Sequence, residues 1–224
     1  MENYISIIIP VYNHKEFIAD AIDSALAQTV KPHEIIVIDD GSTDGSAEIT
    51  SRYPVKLIRQ VNKGLASARN TGIMNATGEY ILPLDSDDIL LDKCIGKITQ
   101  KIKETSADII ASSFKCFGVE NHEIILSGTL AAKDFIEVNR IAYCSAFRRS
   151  VALEVGGYSS RMIWGYEDYH FWIDLLKRGK TISIISEPLF LYRTRVNSMI
   201  HEAQAHHIEL MSQIRKDHPE IYEN

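Results

Sequence analysis

A chain of 224 residues with 24 basic and 30 acidic side chains, net charge −6, has room for one domain, or one domain with a modest appendage, around a sizeable core. The acidic balance and the lack of a long basic run argue against nucleic acid as a partner, since nothing supplies a row of phosphate contacts. Cys94, Cys116 and Cys144 are odd in number, widely spaced and without a Cys-x-x-Cys pair, which reads as reduced thiols of a cytosolic protein rather than a disulfide framework.

Ile5 to Val11 is a β-branched run, continuous enough to be a strand buried on both faces. It is too short for a signal peptide and has no basic leader, and no window reaches the ~18–20 apolar residues of a membrane span. From Lys15 to Gln28 apolar residues recur at helical spacing. Glu34 to Ile38 reads as a second buried strand, ending in Asp39-Asp40-Gly41-Ser42-Thr43-Asp44-Gly45, a loop suited to capping the next helix. Val55 to Ile58 is a short third strand, Leu65 to Ala76 a helix, and Tyr80 to Leu84 a strand that runs into Asp85-Ser86-Asp87-Asp88. Leu91 to Glu104 reads as helix and Asp108 to Ser112 as extended. Strands separated by helices imply right-handed βαβ units and a mostly parallel sheet flanked by helices, an α/β fold, over residues 1–112.

The second half is less regular. The pattern predicts a short strand at Glu123 to Leu126, a helix at Ala131 to Val138, a strand at Ile141 to Phe147 and a loop at Glu154 to Trp164. A helix comes next at Glu167 to Arg178, stopped by Gly179, then extended segments at Thr181 to Ile185 and Leu189 to Tyr192 around Pro188, and a final helix from His201 to Lys216.

Three carboxylates in four residues at the end of an apolar run stand where open α/β sheets bind ligands. In an extended stretch Asp85 and Asp87 point to one side, and close carboxylates repel unless a cation sits among them. Oxygen ligands select a hard ion, Mg2+ or Mn2+, of the kind that carries nucleotide phosphates. Asp88 reads as a cap for the helical segment after the cluster. Asp39 and Asp40 end the second strand, where a carboxylate can accept from N3–H of uracil or thymine or from guanine, or can shape the turn and cap the helix after it. Tyr12 stands at the end of the first strand, suited to stacking on a base or to packing. Arg69, early in its helix, suits a nucleotide contact. Glu167 and Asp168 open the late helix, favourable to the helix dipole or as a general base, and Trp164-Gly165-Tyr166 just before them suits a wall for a ring-shaped substrate. No Gly-x-Gly-x-x-Gly or Gly-x4-Gly-Lys-Ser/Thr loop follows the first strand, which speaks against dinucleotide-binding and P-loop proteins. A sugar-nucleotide pyrophosphorylase would carry a Gly-rich basic loop where Val11-Tyr12-Asn13-His14 stands, and a silent nucleotide-sugar binding module would lack a base such as Asp168.

Taken in order, Ile9-Pro10-Val11-Tyr12-Asn13, Ile38-Asp39-Asp40-Gly41-Ser42-Thr43-Asp44, Asn62, Gly64 and Ala68-Arg69-Asn70 resemble glycosyltransferase family 2, the inverting group with the GT-A fold. So do Ala76-Thr77-Gly78-Glu79-Tyr80, Asp85-Ser86-Asp87-Asp88, Gly156-Gly157-Tyr158 and Tyr166-Glu167-Asp168. The resemblance implies one GT-A domain over 1–224, with a nucleotide-sugar half at 1–112 and an acceptor half at 113–224 that carries the C-terminal helix. It implies that Asp40 with Asp39 reads the base, Tyr12 lies against it and Pro10 shapes the pocket. Arg69 and Ser86 would contact the nucleotide, Asp85 the ribose or metal, and Asp87 the Mn2+ or Mg2+ bridging the diphosphate. Asp168 would be the general base, with Glu167 orienting acceptor or base, and Trp164 and Tyr166 on the acceptor side. The donor implied is a UDP-sugar and the acceptor a glycan or lipid-linked hydroxyl, in surface polysaccharide assembly in the cytoplasm at the inner membrane face. The chain lacks the Gln-x-x-Arg-Trp motif of processive members, which favours single additions. Arg195 stands where the family often has histidine, and an arginine there can pair with a diphosphate. The C-terminal segment with His201, His206 and His207 is short for the family.

Overall fold

A computed structural model describes residues 5–196 and 198–222. Strand β1 (Ile5–Val11) is buried along its whole length. It lies between β2 (Glu34–Asp39) and β4 (Tyr80–Pro83), parallel to both, and β3 (Lys56–Arg59) extends the parallel block beyond β2. The residues alternate between two cores. Ile8, Ile36, Ile38 and Ile81 face one, closed by α3 (Leu65–Asn75) and α6 (Glu167–Lys177). Ile7, Ile9, Ile35, Val37 and Leu82 face the other, closed by α1 (Ile18–Leu26) and α4 (Cys94–Thr105). Helices on both faces are the reason these strands read as unbroken apolar runs.

Helix α3 crosses β1 at close range. A Cβ on Gly72 would stand 2.9 Å from Ile8 Cγ2 and 3.0 Å from Ile38 Cδ1, so glycine sets the helix–sheet distance. The same Ile8 accepts from Leu84 N. The next position facing β4 is Pro10, which has no N–H to continue the ladder. The strands part there, at their carboxyl ends, where the short α2 (Ser46–Thr50) also begins beyond the Asp39–Gly45 turn.

The second half completes the same sheet, and the order among the described residues is β3-β2-β1-β4-β8-β6-β9-β5, with β7 on β6. Here β5 is Ile89–Leu90, β6 Ile109–Gly118, β7 Glu123–Ile124, β8 Ala146–Arg148 and β9 Ile182–Thr194. The sheet is mixed. Its antiparallel ladders are short, and parallel pairing carries most of the register.

Several expectations for this half change. The two segments around Pro188 are one strand, because the β6–β9 register slips between Ser112 and Ser113, opposite Ile185 and Pro188, and that irregularity takes up the proline. Ala131 to Val138 holds only a 3-10 turn, Ala132–Phe135, and the strand at Ile141 to Phe147 shrinks to β8. Helix α5 (Arg149–Val155) is too short to show a clear period in the sequence, and it ends on Gly156 at φ 83°. The last helix is broken at His206 into α7 (Met199–Ala205) and α8 (His207–Asp217), with α9 (Pro219–Tyr222) beyond. Cys94, Cys116 and Cys144 are buried and free. Among the described residues no helix is long and apolar enough to cross a membrane.

Candidate active site

The carboxyl ends of β1, β2 and β4 open into a cleft of about 1030 Å³. Pro10, Tyr12, Asp40, Asp85, Ser86 and Asp87 line it on one side, and Trp164 and Glu167 on the other. Asp39, Arg69, Tyr166 and Asp168 are not among the lining residues.

The two acids that end β2 part company. Asp39 is fully buried, accepts from Ser42 N at 3.0 Å and pairs with Arg59 Nε at 3.1 Å. Asp40 accepts from Gln60 Nε2 at 2.7 Å, Lys63 N at 3.0 Å and Gly64 N at 2.8 Å. It therefore ties down the loop ahead of α3 while facing the cleft, with Gly64 at φ 86° making the turn. Tyr12 is half exposed at the cleft, and Ser86 Oγ bonds His14 Nδ1 at 2.8 Å.

Arg69 joins the two walls from beneath. It is 1% exposed, bonded to Asp85 Oδ1 at 2.7 Å and to Glu167 Oε1, with the rings of Tyr143 and Tyr158 5.0 and 5.4 Å from its guanidinium carbon. Burial opposes its charge, but Asp85 and Glu167 more than offset that and hold the guanidinium above its ordinary range. Asn70, next in α3, bonds both N and O of Tyr158. A Cβ at Gly157 would overlap Asn70 Oδ1. Thus Asn70 and the Gly156-Gly157-Tyr158 motif form one clasp that sets a ring against Arg69.

The acidic cluster is divided by task. Asp85 takes Arg69, yet burial first and then the neighbouring Asp87 push its carboxyl up to about 6. Asp87 pairs with Arg195 at 2.8 Å. Asp88 caps no helix, because β5 comes directly after it. It is buried, accepts from Tyr143 Oη and from Arg193 N at 2.7 Å, and so latches the cluster to β9, while burial holds its carboxyl well up. Behind the far wall, next to Glu167, Asp168 in the first turn of α6 accepts from Asn139 Nδ2 at 2.9 Å. Burial, then the adjacent Glu167, push it up to about 7, against the pull of Arg69. Trp164 stacks on His206 with ring centres 4.5 Å apart, and Tyr166, at φ 61°, bonds His207 Nδ1 at 3.0 Å. The α7–α8 junction thereby holds the loop that leads into Glu167.

Among the described residues no group of three or more His, Cys, Asp or Glu side chains could hold a metal ion by itself. Asp85 and Asp87 each give one oxygen to an arginine and keep a second. A Mg2+-sized ion is commonly bound by one or two carboxylates plus substrate phosphates. The pair fits an ion that arrives with a diphosphate.

Residues 6–156, more than half of the chain, match the family described as Glycosyl transferase family 2. The chain belongs to that family. This family 2 chain is 29% identical over 214 residues to the uncharacterized glycosyltransferase EpsJ of Bacillus subtilis (strain 168), covering 87% of this chain and 62% of EpsJ. It is 32% identical over 183 residues to the Escherichia coli UDP-Glc:alpha-D-GlcNAc-diphosphoundecaprenol beta-1,3-glucosyltransferase WfaP, covering 78% and 71%. The S. aureus TarS 1-349 structure in complex with UDP-GlcNAc superposes with a TM-score of 0.78 at 20% identity, over 88% of this chain and 60% of that one. The mannosyltransferase PcManGT from Pyrobaculum calidifontis, in complex with GDP-Man and Mn2+, gives 0.71 at 18% identity, over 92% and 62%. The fold is therefore of the GT-A type, as the motif order implied. The chain spans less than two thirds of EpsJ and of these two solved chains.

Tyr143, Arg193, Asn139, Gln60 and His14 have no role that the sequence alone assigns. All lie outside the dense motifs or carry no distinguishing spacing, and only the packing of β8 and β9 against the cluster brings Tyr143 and Arg193 in.

Proposed function

We propose that residues 1–224 act as one GT-A unit that transfers a sugar, with inversion, from a nucleotide-sugar donor to a hydroxyl of a glycan or lipid-linked acceptor. The observation that carries this reading is Arg69, whose guanidinium ties Asp85 of the nucleotide half to Glu167 of the acceptor half and so puts carboxylates on both walls of one cleft. Asp40, with Tyr12 and Pro10 beside it, reads the base; a carboxylate acceptor there suits uracil, thymine or guanine, and the family resemblance makes a UDP-sugar the donor of choice. Asp87 and Asp85 would hold a Mg2+ or Mn2+ ion, which would supply Lewis-acid stabilisation of the leaving group's charge. Asp168 takes the proton of the attacking hydroxyl, a role suited by a carboxyl that titrates near neutrality. Glu167, neutralised by Arg69, orients it. The acceptor's hydroxyl displaces the nucleoside diphosphate in one step, so no protein nucleophile is required.

On the acceptor side Ile163, Trp164, Val196, Met199 and Ile200 line the cleft and are exposed. That apolar rim supports a lipid-linked acceptor, and with it surface polysaccharide assembly in the cytoplasm at the inner face of the cell membrane. The test is a donor panel with Mn2+, read as nucleoside diphosphate release, in the wild type and in Asp87→Ala. UDP-sugars should be turned over and the variant should fall by at least about tenfold. If no donor is turned over, or Asp87→Ala matches the wild type, the reading fails.

A further inference from the structure

The carboxylate assigned to the donor's metal ion already holds a cation of the chain's own. Arg195, just past β9, sets Nη2 2.8 Å from Asp87 Oδ2 and 3.3 Å from His14 Nε2, with its guanidinium carbon 5.2 Å from the Phe17 ring centre. Its Nε is buried with no hydrogen-bond partner among the described residues, although the side chain as a whole is 30% exposed and lines the cleft. His14 adds no competing charge. Its Nδ1 is engaged by Ser86, and burial together with the Arg195 charge holds the imidazole below its ordinary range despite Asp87.

Arg193 makes this placement firm. Its backbone N bonds Asp88 Oδ1 and its Nε bonds the Asp87 carbonyl, both at 2.7 Å, and its guanidinium lies over Phe117 at 4.4 Å and Phe17 at 4.8 Å. Arg193 lines the cleft too, but its backbone N and its Nε hold the cluster to β9 and its Nη2 reaches Asp20 Oδ2 at 3.5 Å. Arg195 has one ion pair, one weak contact to an imidazole, the Phe17 ring beside it and a buried Nε without a partner among the described residues. A guanidinium fork satisfies two oxygens of a phosphate at once and stays charged at every working pH, so a diphosphate offers Arg195 more than Asp87 does.

We propose that Arg195 is the resident counter-charge for the donor's diphosphate. It neutralises Asp87 in the free protein, turns its fork onto diphosphate oxygens when the donor binds, and leaves Asp87 to the divalent ion only then. This rests on the nucleotide-sugar reading above. A nucleoside diphosphate then binds without a divalent ion, and a divalent ion without nucleotide binds poorly because Arg195 holds its ligand.

The experiment titrates UDP calorimetrically in EDTA and in Mn2+, and separately titrates Mn2+ alone by electron paramagnetic resonance. It uses wild type, Arg195→Ala and Arg195→Lys, each checked for a native circular dichroism spectrum. Wild type should bind UDP in EDTA within about tenfold of its affinity in Mn2+. Arg195→Ala should lose about tenfold or more in EDTA and less in Mn2+, and should bind Mn2+ alone more tightly than wild type. Arg195→Lys, a point charge without the fork, should fall between. Equal UDP affinity of wild type and Arg195→Ala in EDTA overturns the proposal, and so does unchanged Mn2+ affinity in Arg195→Ala. Absence of UDP binding to wild type under both conditions instead overturns the donor reading, and the nucleotide-free Mn2+ titration then still decides whether Arg195 guards Asp87.

Discussion

Replacing Arg69 by methionine removes the one cation shared by Asp85 and Glu167 while filling most of its volume. The arginine side chain is 1% exposed, that of Glu167 7% and that of Asp85 25%, so Glu167 is stranded almost without water and Asp85 with some. Removing one partner of a buried ion pair typically costs about 3–5 kcal/mol, a large share of the ~5–15 kcal/mol that a domain has. At ~2–4 °C per kcal/mol for a chain of this size, melting should fall by roughly 6–20 °C. The deficit should depend on pH. Asp85 titrates at about 6 in the fold against ~3.9 in an unfolded chain, so the native state binds more protons between those values. Stability from this group is greatest at acid pH, declines as pH rises through about 6, and is level above it. Without the Arg69 charge Asp85 titrates higher still, and the decline continues into the range where wild type is level. Urea unfolding at pH 5 and pH 8 should therefore show a larger deficit at pH 8, and adding Glu167→Gln should restore part of it. A deficit under about 1 kcal/mol, or one constant between the two pH values, would refute the buried triad as the joint between the walls.

Two further outcomes are expected. Asp168→Asn should lower turnover by about 10²–10⁴-fold with UDP affinity little changed, and the wild-type rate should rise with pH, be half-maximal near 7, where Asp168 loses its proton, and level off above that. A wild-type rate flat from pH 5 to 8 would remove Asp168 as the base. Gly72→Ala, which puts a methyl 2.9 Å from Ile8 Cγ2, should destabilise by about 1–3 kcal/mol in urea unfolding, although alanine is the better helix former. No loss would mean that α3 does not rest on β1 at that distance.

Much of the site was legible because its residues sit at strand and helix ends, where the chain's local pattern changes. The unbroken apolar runs of β1, β2 and β4 arise from burial on two faces, and each ends in the residues that reach the cleft, Pro10-Val11-Tyr12, Asp40 and Asp85-Ser86-Asp87. Composition and periodicity could place these ends on one sheet edge, since parallel strands align their carboxyl termini. They could not separate Asp39 from Asp40. Neighbours in sequence point to opposite sides of a strand, and which side meets Arg59 and which the cleft depends on β3 and on the loop at Gln60 to Gly64.

The tertiary structure alone decided the rest. Asp88 and Tyr143 lie 55 residues apart and are joined by a hydrogen bond, and Asp87 meets Arg195 where β5, directly after the acidic cluster, pairs with β9, Ile89 with Leu191 and Leu90 with Phe190. Local propensity has no term for such pairings. The division of Asp85-Ser86-Asp87-Asp88 into a group held by Arg69, a group held by Arg195 and a latch to β9 is set by which distant cation or donor reaches each oxygen. That is a property of packing between the two halves of the sheet, where burial makes every unpaired charge costly.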